Sequence, residues 1–161
     1  MNSKGQLSLL LAERLASGKE ITRIEQLAEA AGINRYMLDQ LDQGHDVYVN
    51  LDSLRRVGET LGLDSLSRIL GLTPPERAKD GRIEERPIKI MTEQKGISMR
   101  QLAAQVGVRP ASLYNLDIGE AKLVRVSHLV EICRILELSI DELAGYRPGV
   151  ASQQGDSGTE Q

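Results

Sequence analysis

Phenylalanine and tryptophan are absent, and four tyrosines are the only aromatic residues among 161. A core must therefore be assembled from Leu, Ile, Val, Ala and Met, with few aromatic cross-strand pairs available to a sheet. Period-two runs are scarce, while Leu, Ala, Glu, Arg and Gln are plentiful, which predicts an all-α chain. Cys133 is the single cysteine; it excludes an internal disulfide and a cysteine-based zinc site, and it suits a reducing cytoplasm. No apolar run approaches the roughly 18 residues that span a bilayer, so no membrane partner is expected. The apolar stretch near the N-terminus is interrupted by Glu13 and Arg14, the pattern of an amphipathic first helix rather than a signal peptide.

A surplus of positive charge is also lacking. The net charge is −3, with 8 basic and 10 acidic side chains in residues 1–71 and 11 of each in residues 72–145. Non-specific affinity for a polyanion depends on cations close to its phosphates, so tight binding to arbitrary nucleic acid is not expected. A local patch remains effective, because fields act over roughly 8 Å at physiological salt. No glycine-rich phosphate loop, paired-carboxylate site or nucleophile triad is present, so neither an enzymatic activity nor a cofactor is expected. His45 and His128 have no second histidine or cysteine near them in sequence, so no metal site is expected either.

What the chain does contain is an internal repeat. Shifted by 75 positions, QLAEAAGINRYMLDQLDQG (residues 26–44) falls without a gap on QLAAQVGVRPASLYNLDIG (residues 101–119). Leu27/Leu102, Gly32/Gly107, Leu38/Leu113, Leu41/Leu116, Asp42/Asp117 and Gly44/Gly119 are identical, and the register continues through Val49/Val124, Leu54/Leu129 and Leu61/Leu136. Two copies of one fold follow. Residues 73–86, with two prolines, a glycine and mixed charge, read as a linker. Residues 147–161 read as a disordered tail, polar and rich in Gly, Ser and Gln. The copies then occupy residues 1–72 and 87–146, each close to the lower size limit for independent folding, so they are expected to lean on one another or on a partner.

Local signals place five helices in each copy. Pro87 opens a helix that Gly96 ends, Ser98 and Gln101 form a capping box, Gly107 makes a turn, and Pro110 opens the next helix. In the first copy Thr22 and Glu25 offer the box, Gly32 the turn, and Asn34 the cap. Irregular loops are expected after Gly44 and Gly119. Then come helices bearing Leu51, Leu54, Val57 and Leu61, or Val126, Leu129, Ile132 and Leu136, and a short closing helix around residues 66–70 or 140–144.

A helix, a turn beginning with glycine and a second helix with inward leucines form the helix-turn-helix pattern. The signature LA-x-x-x-G-[IV]-x-x-x-x-L-x-x-L-D-x-G occurs twice and resembles the phage-repressor-like XRE (Cro-like) family. The resemblance implies two tandem five-helix lambda-repressor-like domains and a sequence-specific regulator of transcription, a repressor, acting on double-stranded DNA. It also implies that the helix after the glycine turn enters the major groove. Carried over by position, that presents Asn34, Arg35, Tyr36 and Gln40 in the first copy. In the second it presents Arg109, Pro110, Ala111, Tyr114 and Asn115. Arg35 suits guanine, Gln40 adenine, and Ala111 a thymine methyl, whereas Pro110 departs from the usual polar pattern. Lys122 and Arg125 match loop positions near the DNA backbone, and with Arg100 and Arg109 they form a candidate basic patch. The linker reaches at most about 50 Å, enough for half-sites roughly 34–36 Å apart, in direct or inverted order.

Blander roles stand beside these. Tyr36 and Tyr114 adjoin inward leucines and suit partial burial. Asp42 and Asp117 suit a structural role, holding a loop through backbone donors. Cys133 suits packing on a core helix. The competing function is a protein-interaction module, an antitoxin-like or accessory subunit of a mobile-element or defence system, to which the acidic balance lends weight. A homodimer is compatible with either reading.

Overall fold

The computed structural model describes residues 4–76, 84–121 and 123–147. Within them the chain forms ten helices in two runs of five. The first run is α1 (Gln6–Ala16), α2 (Ile24–Ala31), α3 (Arg35–Asp42), α4 (Leu51–Leu61) and α5 (Ser67–Leu70). The second is α6 (Pro87–Lys95), α7 (Met99–Val106), α8 (Pro110–Asp117), α9 (Val126–Leu136) and α10 (Ile140–Ala144). The central part of the expected linker and residues 148–161 of the expected tail lie outside the described residues. No helix among the described residues is long and apolar enough to cross a membrane.

The expected starts and stops account for most boundaries. Pro87 occupies the first turn of α6 and Pro110 that of α8, where a missing N–H costs nothing. Ser98 and Gln101 exchange backbone and side-chain bonds at 3.0 and 2.8 Å. The box at α2 differs from the Thr22/Glu25 pairing expected. Gln26 Oε1 accepts from the backbone N–H groups of Thr22 and Arg23 at 2.9 and 3.2 Å, and Glu25 is left to pair with Arg23 and Arg35. Gln26 stands at the third position of the helix, from which its side chain reaches back to the donors at the start.

Equivalent leucines are buried in both runs: Leu27, Leu38, Leu41 and Leu54 in one, Leu102, Leu113, Leu116 and Leu129 in the other. Each such side chain stabilises the fold by about 1.5–3 kcal/mol through loss of apolar surface to water. They belong to one continuous core that spans both runs. Asp42 and Asp117 hold the same place in the repeat and do the same work. Asp117, fully buried, accepts from the backbone N–H groups of Ile88 and Lys89 at 2.7 and 3.1 Å and from Arg86 Nε at 3.1 Å. Asp42 accepts from the N–H and hydroxyl of Ser8. Each carboxylate therefore ties the end of the third helix to the start of the first. The role is structural, as expected, but the donors belong to that first helix and not to the loop.

The loops after Gly44 and Gly119 are not wholly irregular. Tyr48–Val49 (β1) and Val124–Arg125 (β2) pair as a two-stranded antiparallel ribbon, Tyr48 opposite Arg125 and Val49 opposite Val124. Two residues per strand carry no readable period, which is why the pairing was not legible. The ribbon joins the two halves, and other bonds join them as well. Asp46 accepts from the Ser127 N–H at 2.9 Å and from its hydroxyl at 2.7 Å. Asp141 accepts from the Leu66 N–H at 2.7 Å and the Ser65 hydroxyl at 2.6 Å. The Tyr146 hydroxyl, buried, donates to the Leu63 carbonyl at 2.5 Å.

Candidate nucleic-acid interface

The helix that opens after each glycine turn buries one side and offers the other. Gly32 (φ 67°) and Gly107 (φ 91°) adopt the left-handed conformation that reverses the chain between α2 and α3 and between α7 and α8; a side chain there would be strained. Leu38 and Leu41 anchor α3, Leu113 and Leu116 anchor α8, and the first turn of each helix is left facing solvent.

On α3, Asn34 is exposed, and its side-chain oxygen accepts from the Tyr36 N–H at 2.7 Å. The cap uses that oxygen and leaves the amide NH2 group to an outside partner. Arg35 is exposed and flanked by two carboxylates, Asp39 at 3.3 Å and Glu25 at 3.9 Å. Tyr36 is 69% exposed, so the partial burial considered for it does not occur. Gln40 is half-buried, with its oxygen against His45 Nδ1.

On α8, Arg109, Pro110, Ala111, Ser112 and Asn115 are all exposed. Ser112 was missed by sequence reasoning. Its position in the first copy belongs to the half-buried Met37, so the repeat itself hid an outward hydroxyl. Tyr114 is 49% exposed, with the Arg86 guanidinium 5.0 Å from its ring centre. A cation over an aromatic face is attracted to it, so packing takes part of this side chain.

Lys122 lies outside the described residues. Arg125 stacks on the Tyr48 ring at 4.9 Å, donates to its hydroxyl at 3.0 Å and sits 3.6 Å from Asp46. Its charge is thus partly engaged within the ribbon, while 40% of the side chain stays exposed. Arg100, early in α7, and Arg109, at the start of α8, are exposed and have no ion pair among the described residues. The two helices pack against each other. Charge is thus distributed unevenly, with the α3 arginine neutralised by neighbours and the α7–α8 arginines available.

No cluster of three metal-ligating side chains occurs among the described residues. Residues 87–149 match the model of the Cro/C1-type HTH DNA-binding domain. A relative in Bacillus subtilis (strain 168), named an uncharacterized HTH-type transcriptional regulator, YozG, is 35% identical over 60 residues, which is 37% of this chain and 71% of the relative. No solved structure matches the chain.

Proposed function

The chain belongs to the Cro/C1-type helix-turn-helix DNA-binding family, and from that premise we propose that it is a sequence-specific repressor of transcription that reads duplex DNA with both α3 and α8. The observation that carries this reading is the pair of exposed first turns, each held out on buried leucines. Asn34, Arg35, Tyr36 and Gln40 meet one stretch of major groove. Arg109, Ala111, Ser112, Tyr114 and Asn115 meet another, with Arg100, Arg109 and Lys122 approaching phosphates. Arg125 joins that set through the exposed part of its side chain, besides supporting the ribbon.

The two helices do unequal work. Arg35 must exchange Glu25 and Asp39 for a base, which lowers its net gain. The second copy has free cations but a first turn of Pro110 and Ala111, which offers little hydrogen bonding to base edges. An electrophoretic shift on the duplex upstream of the chain's own coding sequence tests the assignment. Arg35→Ala is expected to cost about 1–3 kcal/mol at one base position, and Arg109→Ala to weaken binding across all sequences and flatten its salt dependence. An unchanged base profile for Arg35→Ala removes the role given to that residue.

The alternative is an interaction module that docks protein. Its support is the ion-paired Arg35 beside the exposed Tyr36, on a chain of net charge −3. Failure to shift any duplex at low salt would favour it.

A further inference from the structure

We infer that the chain is its own dimer: an internal two-fold axis relates its halves, so that a single chain occupies an inverted repeat whose two half-sites differ in sequence. The inference rests on the DNA-binding reading above and specifies the ligand of that same site.

The axis follows from which residues meet. In an arrangement with two-fold symmetry, a residue on the axis touches its own counterpart, and every off-axis contact has a mate. In a head-to-tail arrangement, contacts join unlike positions. The repeat offset of 75 identifies the counterparts. Val49 pairs with Val124, its own counterpart, in the ribbon. Tyr48 pairs with Arg125, the counterpart of Asn50, so the antiparallel register is symmetric about the valine pair. Past Leu138 the offset falls to 74, since Gly71 and Gly145 close α5 and α10 with equivalent turns; Asp141 is then the counterpart of Ser67, and its bond to Leu66 lies one position off the axis. A self-meeting valine pair in the ribbon, with α5 meeting α10, its own counterpart, through Leu66 and Asp141 on one side and Ser67 and Ile140 on the other, is what an axis between the halves requires.

The off-axis contacts agree. Tyr146, just after α10, lies over Gly58 on α4. On the other side, the chain just after α5 lies beside Cys133, the counterpart of Gly58, where Ser67, Leu72, Val130 and Cys133 line a groove of about 390 Å³. The C-terminal end of each run thus faces the fourth helix of the other, packed closely where α10 meets α4 and across a groove where α5 faces α9. Contacts without a mate have a reason in sequence: Asp46 bonds to Ser127, whereas the counterpart of Asp46 is Ala121, which has no acceptor to offer Asp52, and Tyr146 bonds to Leu63, whereas Leu72 in its place has no hydroxyl.

Two helices related by a two-fold axis face a duplex in opposite senses, and operator symmetry follows protein symmetry. The half-sites are therefore inverted, not direct. They are also unlike, because Arg35, Tyr36 and Gln40 on α3 stand where α8 has Pro110, Ala111 and Asn115. No second chain is needed to complete the operator.

The test is selection of the full chain against a library of random 30-base-pair duplexes, with the stoichiometry of the winning complex read by sedimentation. The expected result is an enriched pair of unlike half-sites in inverted order with one chain per duplex. Arg35→Ala is expected to relax base preference within one half-site only, by roughly 5- to 150-fold at one position. A direct repeat, a lone half-site, a perfect palindrome or two chains per duplex would overturn the inference and leave DNA binding intact. Absence of any enriched sequence overturns both.

Discussion

Burial decides the behaviour of the side chains that make up the seam between the halves. Cys133 is buried on α9, and burial, reinforced by Glu142 and Asp141, pushes its thiol far above the usual range. The thiolate is the nucleophile, so a thiol held protonated is inert. In native protein at pH 8 Cys133 is expected to resist a thiol-specific disulfide reagent and to react once urea unfolds the chain. Rapid native reaction would contradict the packing described. Burial, helped by Asp141, Glu59 and Asp64, likewise moves the Tyr146 hydroxyl up to about 12, so it remains a donor to Leu63 across the physiological range. Gly58, inside α4, makes room: a methyl there would overlap Leu66 Cδ2 and lie 3.1 Å from the Tyr146 ring. Gly58→Ala is expected to lower stability, overpacking of about 1–3 kcal/mol outweighing the roughly 1 kcal/mol that alanine gains over glycine inside a helix, measured by urea denaturation; a stabilised variant would mean that Leu66 and Tyr146 are not packed against this position.

Helices here were legible wherever one residue type did a local task. Pro87, Ser98 with Gln101, Asn34 and Pro110 each mark a helix start, and the inward leucines recur at helical spacing, so both are readable along the chain. Caps supplied from the other half were not. Arg125 stands at the start of α9 where Asn50 caps α4 with its own side chain, and Asp46, from the other half, supplies the missing acceptor. Nothing local in the sequence ties Asp46 to Ser127, 81 positions away. Burial tends to raise the Asp46 carboxyl, but the Ser127 hydroxyl and N–H together with Arg125 outweigh it and hold it below its ordinary value. A carboxyl whose folded value is depressed contributes stability that is present above about 3.8 and is lost as pH falls through the folded value. Asp46→Ala is expected to cost about 1 kcal/mol at pH 7, as for other lost caps, with the deficit shrinking below pH 3.8. Urea midpoints for both proteins at pH 7 and pH 3 measure this; a deficit independent of pH would assign the effect to packing. Asp141 has the opposite sign. Burial raises it, with Asp64 and Glu142 adding to the effect of burial over the bonds from Ser65 and Leu66, so its charged form costs stability at neutral pH and that cost is relieved as pH falls.

At the scale of the molecule, the repeat predicts two similar halves, and the marginal size of each predicts that they lean on each other or on a partner. How they do so was not readable, because the ribbon and the Asp141 bonds depend on three-dimensional proximity and not on spacing along the chain. The outward residues of α3 and α8 were named from the resemblance. What the fold adds is their unequal availability, with Arg35 flanked by acids, Gln40 bonded to His45 and Arg125 drawn into the ribbon. The net charge of −3 makes the ionic part of binding the critical quantity. Titration of the full chain into a selected duplex at 50 and 200 mM salt measures it directly. Neutralising about four phosphates predicts loss of roughly 100-fold in affinity across that range. Absence of binding at 50 mM, or an affinity indifferent to salt, would contradict a DNA-reading role for these two helices.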